Sequence, residues 1–183
     1  IIARFGSLGY NVNFKVLLAS DYGVPQNRER VFFVGLNREV FGSEKFFVFP
    51  KPLRHKVTTM EALDDLPSLD NPSTLVPLYK HSPANEYQRI MRKDASDIVL
   101  NHEQTKHSDE TLSVIRLVPD GGSILDLPED FYSIRNYKNT FKRMNSKTQS
   151  ITIDCGHRNY FHYKENRVPY VRESARLQSF PDA

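Results

Sequence analysis

Apolar and polar positions change period along this chain, and each change marks a new element. Ile1 to Gly9 carries an apolar pattern that stops at a glycine, as in the last turns of a helix closed by a glycine cap. Asn11 to Ala19 reads as a strand, Ser20 to Arg28 as a loop punctuated by Gly23 and Pro25, and Glu29 to Leu36 as a second strand. The two make an antiparallel hairpin with a long connection. Val31-Phe32-Phe33-Val34 is apolar on both faces, which predicts a covering layer on each side. Residues 41 to 57 form a connector containing Pro50 and Pro52, and Thr59 to Leu66 a short helix capped by Thr58 or Thr59. Asp70 to Pro83, with three prolines, predicts a mobile loop. Asn85 to Arg92 and Ser108 to Leu117 read as helices; in the second, Ser108 caps while Leu112, Ile115 and Val118 mark one face, and Gly121-Gly122 ends the unit. From Tyr137 onward strands and turns are favoured, with β-branched alternation at Ser150-Ile151-Thr152-Ile153. Val171 to Phe180 predicts a helix, with Pro181 beyond its end. The fold class is α+β, without internal repeats.

Composition narrows the class. A chain of 183 residues with 39% hydrophobic and 26% charged residues describes a soluble globular protein, one domain or a domain plus a fragment. No apolar run approaches the roughly 18 residues of a membrane span, and no secretory signal opens the chain. The single cysteine, Cys155, excludes a disulfide framework and a four-cysteine zinc site, and is compatible with a reducing cytosol. Neither His102 with His107 nor His157 with His162 has a recognised metal-ligand pattern, so no metal is expected.

The net charge of +3 is modest but unevenly spread. Arg135 to Arg172 holds nine basic residues against two acids, whereas Asp94 to Asp130 holds nine acids against Lys106 and Arg116. Aromatic residues interleave with the basic stretch: Tyr137, Phe141, Tyr160, Phe161, Tyr163 and Tyr170. That combination favours nucleic acid as the partner of the basic segment. Candidate contacts are Lys142, Arg143, Lys147, Arg158 and Lys164 for phosphates, and Gln149 and Thr152, with Asn145 and Ser146, for hydrogen bonds in the major groove.

The hairpin loop carries the sharpest chemistry. In Asp21-Tyr22-Gly23-Val24-Pro25-Gln26-Asn27-Arg28-Glu29-Arg30, an amide and two guanidinium groups stand at alternate positions. Side chains two apart in an extended segment point the same way, so Gln26, Arg28 and Arg30 can converge on a phosphate or a base edge. The alternative from spacing alone is a strand whose arginines face solvent or pair with Glu29.

A second segment decides between them. Arg167-Val168-Pro169-Tyr170-Val171-Arg172-Glu173-Ser174-Ala175-Arg176-Leu177-Gln178-Ser179-Phe180-Pro181-Asp182, together with Tyr-Gly-Val-Pro-Gln-x-Arg-x-Arg, closely resembles the cytosine-5 DNA methyltransferases. In that family these strings are the eighth and ninth motifs, with the target-recognition region between them. Thr58 to Pro67, Asn101-His102, Val118 to Gly122 and the Thr152-Ile153 pair are weaker echoes, so the resemblance covers essentially the whole chain. Tyr170, where the family usually has Thr or Ser, and Tyr163, which follows His162 where proline is common, are departures.

The resemblance implies an edge β-hairpin of a Rossmann-like methyltransferase sheet plus a small mixed target-recognition domain. Residues 1–52 would close the catalytic domain, 53–166 form the recognition domain, and 167–183 return as the ninth-motif helix. Gln26, Arg28 and Arg30 would support the pocket of a flipped cytosine, with Arg30 on the base and its phosphate. Arg167, Arg172, Glu173, Arg176 and Gln178 would hold the two domains together. The family's glycine-rich cofactor turn, Pro-Cys nucleophile and Glu-Asn-Val segment do not occur here; Cys155 follows Asp154 and is expected to be a structural thiol. The chain therefore reads as a C-terminal fragment, inactive alone, with both ends as cuts. S-adenosylmethionine is expected in the full enzyme and no cofactor on this fragment. Its partners would be double-stranded DNA and an N-terminal catalytic portion, on the same chain or on a separate subunit, in a cytoplasmic, nucleoid-associated restriction-modification system. A natural split subunit and a non-catalytic DNA-binding relative are the alternatives.

Overall fold

The computed structural model describes residues 1–68, 76–134, 141–154 and 159–183. Helix α1 (Ile2–Ser7) leads into strand β1 (Tyr10–Leu18) through Gly9, whose φ of +87° is the left-handed turn that a glycine admits. β1 pairs antiparallel with β2 (Glu29–Asn37) over its whole length, from Tyr10 opposite Asn37 to Leu18 opposite Glu29. A short α2 (Arg38–Phe41) follows, capped by the Asn37 side chain. Phe14 and Phe33, cross-strand neighbours, stack at 5.4 Å, yet both remain 40–50% exposed or more, as do Val16, Val31 and Phe32. The covering layer predicted from their apolar pattern is not supplied by any described part of this chain.

The connector returns along the hairpin loop: Leu53 N–H donates to the Asp21 carbonyl, and Lys56 pairs with Asp21 at 2.6 Å. Helix α3 (Thr59–Leu63) is shorter than its pattern, with Thr58 as cap and Glu61 reaching back to the Thr58 N–H. α4 (Glu86–Met91) is capped by Asn85 and α5 (Asp109–Leu117) by Ser108. In α5 the buried face includes Val114 besides Ile115 and the following Val118, while Leu112 is only half-buried. Of the expected loop from Asp70 to Pro83, the described part is tied down: Leu78 bridges to Ile98, and Val99 N–H donates to the Pro77 carbonyl.

Strands β3 (Lys142–Arg143) and β4 (Tyr160–Phe161) form a second, parallel pair. Among the described residues the expected strand at Ser150 to Ile153 makes one bridge, because its partner is a loop segment around Gln26 and not a full strand. Helix α6 (Val171–Arg176) stops early: Ser179 takes a φ of +61°, and Phe180 N–H folds back onto the Ala175 carbonyl. Two apolar clusters result. Leu63, Leu66, Tyr87, Met91, Met144 and Leu177 centre the first; Val114, Ile115, Ile124, Phe141, Phe161 and Val168 form the second. Val168 and Leu177, from the ninth-motif segment, thus enter both. The architecture is mixed α and β, with short elements held by long-range packing.

Candidate functional site

The hairpin loop builds one wall of a cavity of about 580 Å³. Gly23, at φ +88°, turns the chain, and Ala19 N–H closes the loop on the Arg28 carbonyl at 2.9 Å. Gln26, Arg28 and Arg30 all line this space, joined by Leu17, Tyr22 and Phe32 and, from the end of α6, by Gln178 and Phe180. Gln26 is only 1% exposed, and its Nε2 has no hydrogen-bond partner among the described residues. Arg28 is half-buried and Arg30 exposed, its Nη1 donating to the Glu29 carbonyl at 2.6 Å and not to the Glu29 carboxylate. Among the described residues no acidic side chain lines the cavity. A space flanked by aromatic rings, two guanidinium groups and a buried unmatched donor fits a planar, anionic ligand with an acceptor edge.

The recognition candidates separate. Lys147 and Lys164 are exposed and Lys142 is half-buried. Gln149 is half-buried and donates to the Val57 carbonyl at 3.3 Å, and the Thr152 hydroxyl donates to the Asn27 carbonyl at 2.8 Å. Arg158, together with Cys155, His157, Arg135, Tyr137 and Lys138, lies outside the described residues. Arg143 is a correction. Expected on DNA, it is buried, and its guanidinium donates to the carbonyls of Ile115, Val118, His162 and Glu165 and to Asn166 Oδ1, at 2.6 to 3.0 Å. Burial lowers its pKa, but these acceptors use every N–H it has. It closes the C-terminal end of α5 and has no donor left for a phosphate.

The ninth motif is a buried ionic lattice. Arg167 grips Glu173 with two bonds of 2.7 Å, reaches Glu165, and lies 3.5 Å over the Tyr170 ring. Arg176, fully buried, joins Asp182 to Asp65 and to the Ala62 carbonyl, while Arg172 donates to the carbonyls of Leu100 and Pro181. Burial alone would lower the Arg176 pKa; Asp182 and Asp65 hold it above its ordinary range instead. Gln178 stands apart, donating within its own helix turn to the Ser174 carbonyl and facing the cavity. Asp65 and Asp182 were missed by sequence reading, since nothing in their neighbourhood marks them as buried partners.

His162 lies beneath this lattice. Its Nδ1 accepts from the N–H groups of Lys164 and Glu165, and its Nε2 is 3.7 Å from Glu173. Burial outweighs the Glu173 charge and pushes its pKa from 6.5 down to about 4. The folded state therefore binds this proton less readily than the unfolded chain, so stability is full above pH 6.5 and falls toward pH 4. Between pH 6.5 and 4.5, before the carboxylates intervene, the loss should be on the order of 2 kcal/mol. Urea unfolding of the wild type and of His162→Gln across that window checks it; the variant should show a flatter profile.

Comparison with known proteins completes the site. The family model of the C-5 cytosine-specific DNA methylases matches residues 1–183. The chain belongs to that family. Among curated methylases, the type II methyltransferase M1.HphI of Haemophilus parahaemolyticus is 34% identical over the whole chain, which covers 42% of that protein. M.DdeI of Desulfomicrobium norvegicum is 32% identical, again over the whole chain and 47% of that protein. The chain thus spans about half the length of the curated relatives it matches. In fold it is similar to the crystal structure of a protein named as a DNA modification methyltransferase encoded within a prophage (E. coli), with a TM-score of 0.73 and 21% identity over 98% of this chain and 53% of that one. The stretch that matches the family carries the Gln26 loop, the basic segment and the buried lattice.

Proposed function

We propose that the chain supplies DNA target recognition and part of the extruded-cytosine pocket of a DNA (cytosine-5-)-methyltransferase of the restriction-modification type. The observation that carries this reading is the cavity itself: Gln26, Arg28 and Arg30 share it, and among the described residues no carboxylate lines it and the buried Gln26 Nε2 has no acceptor. A base swung out of the duplex offers carbonyl and ring-nitrogen acceptors to such a wall, and its phosphate offers charge to the exposed Arg30. Tyr22 and Phe32 give the apolar surface against which a ring is held.

The methyl donor belongs elsewhere. S-adenosylmethionine is the cofactor of the proposed reaction and supplies the methyl group, but the residues here do not fit it. Among the described residues no glycine-rich turn leads from a strand into a helix, and the sequence contains no Pro-Cys pair to act as nucleophile. An N-terminal catalytic portion, on the same or another chain, would bring both and would cover the bare aromatic face of β1 and β2. The hairpin would then be the edge of its sheet, with residues 53–166 as the recognition domain and the α6 segment joining the two.

The test is to express the full-length protein in a host without cytosine methylation and to sequence its bisulfite-converted DNA. The reading expects 5-methylcytosine at one short recurring sequence; complete conversion throughout would refute it. DNA affinity should rest on the exposed basic residues. Replacing Lys147 and Lys164 together by alanine is expected to reduce the slope of log affinity against log salt by about 1 to 2. Because both side chains are exposed, the melting temperature should stay within the equivalent of ~0.5 kcal/mol. Fluorescence anisotropy over a salt series measures the slope, and an unchanged slope removes both residues from the interface.

A further inference from the structure

The acidic stretch from Asp94 to Asp130 has two cations, Lys106 and Arg116, and the fold brings both to one cavity of about 520 Å³. Arg116 lies one turn beyond Leu112 on α5, so both side chains face the same way, and the segment from Gln104 to His107 lines the same space. All nine acids of the stretch are among the described residues, and none lines this cavity. The side chains of Lys106 and Arg116 are exposed and have neither an ion pair nor a hydrogen bond among the described residues. Arg167 lines the cavity too, but Glu165 and Glu173 already take its guanidinium. Asn166 lends an amide: its Oδ1 accepts from Arg143 at 3.0 Å, which leaves its Nδ2 as a donor without a partner among the described residues. Arg116, in the last turn of α5, also suits the negative end of that helix; Lys106, outside any helix or strand, has no such reason for its place.

The cavity adjoins the way to the base pocket. Thr105 also lines a neighbouring hollow of about 480 Å³ together with Gln178 and Phe180, the two residues that the ninth motif contributes to the cavity behind Gln26. Among the described residues this hollow has one carboxylate, Asp154, which accepts the Tyr160 hydroxyl at 2.9 Å. We propose that Lys106, Arg116 and the Asn166 amide seat a backbone phosphate of the bound DNA, outside the basic recognition segment and continuous with the base cavity along α6. The proposal rests on the methyltransferase reading above. A phosphodiester fits the donor set, since the two cations and the amide can all donate to its charged oxygens while nothing acidic opposes it in the cavity. Such a contact fixes position and does not read sequence, so the seat acts on every duplex, cognate or not.

The experiment uses the full-length protein and measures anisotropy of labelled cognate and non-cognate duplexes over a salt series, with kcat and KM of methyl transfer on the cognate one. Lys106→Ala combined with Arg116→Ala should lower the slope of log affinity against log salt by about 1 to 2 on both duplexes, raise KM and leave kcat within about twofold. Lys106→Arg should keep the wild-type slope. Arg89→Ala combined with Lys93→Ala removes the same charge from the exposed surface of α4 and the residues after it, and should leave the slope near wild type. Where the first pair melts below the wild type, Lys106→Ala alone carries the test, with a slope change of about 1. A wild-type slope and KM, with methyl transfer intact, overturn the seat alone. An equal slope change in the α4 pair also overturns it, by making the effect one of net charge. Calorimetric binding of inorganic phosphate that the Lys106 and Arg116 pair abolishes, with the DNA slope unchanged, overturns it by making the ligand a free anion. Absence of both DNA binding and methyl transfer in the wild type overturns the underlying reading and the seat with it.

Discussion

Arg176→Ala is expected to cost about 3 kcal/mol of folding stability, because the buried carboxylates Asp65 and Asp182 lose their shared central cation and keep, among the described residues, only the longer pairs with Arg92 at 3.3 Å and Arg172 at 3.5 Å. Arg176 has no solvent exposure, and Asp65 has none either, so water cannot replace the lost guanidinium. Its main-chain carbonyl also accepts the Tyr87 hydroxyl, which ties α4 to the same point. Against a total stability of about 5 to 15 kcal/mol for a typical domain, that loss leaves little margin. Arg89→Ala is the contrast. Arg89 pairs with Glu86 on the surface of α4, both side chains more than half exposed, and its removal should change stability by less than about 0.5 kcal/mol. Urea denaturation of the two variants beside the wild type makes the comparison, and equal losses would mean that the buried lattice is not what holds α6 in place.

Arg30→Ala should do the reverse, sparing the fold and removing turnover. Arg30 is exposed at the cavity, pairs with no carboxylate among the described residues, and bonds only the Glu29 carbonyl. Losing one charge-assisted contact to an extruded base is expected to raise the barrier by about 2 to 4 kcal/mol, or about 30- to 1000-fold in kcat. Affinity for the duplex should fall far less, since the contact forms chiefly with the base outside the stack. Turnover from labelled methyl transfer and affinity from anisotropy separate the two effects. A fall in turnover of less than threefold would place Arg30 outside the pocket.

The hairpin was legible because its signals are local. Period-two spacing sets Gln26, Arg28 and Arg30 on one side, and Gly23 supplies the one turn with positive φ that the loop needs. The caps at Ser108 and, narrowed to Thr58 or Thr59, at Thr58 were legible for the same reason, each being a side chain within three residues of the N–H it accepts; Asn85, read as the first helical residue, proves to be a cap as well. What separates Arg143 from Lys147 is not local. Arg143 is buried by carbonyls of α5 more than twenty residues earlier and of the turn after β4, and no spacing in the chain announces that arrangement. Asp65 meets Arg176 across more than a hundred residues. The Ser150 to Thr152 stretch has the composition of a strand, but its partner is three residues of a loop, so the ladder ends after one bridge. Helix α6 ends at Arg176 because Asp182 must fold back to reach that guanidinium, which a helical pattern running to Phe180 does not reveal.

The central claim, that the cavity behind Gln26, Arg28 and Arg30 receives a cytosine swung out of DNA, has a direct measurement. Once the methylated sequence is mapped, the full-length protein is titrated with duplexes in which the target cytosine is correctly paired or mismatched. Extrusion has to break the pairing of the target, so a mismatch should tighten binding by part of the few kcal/mol that unpairing costs, roughly tenfold or more. Arg30→Ala should reduce that gain, because the wall that holds the extruded base is weakened. Equal affinity for paired and mismatched targets, in the wild type and in Arg30→Ala alike, would contradict the account.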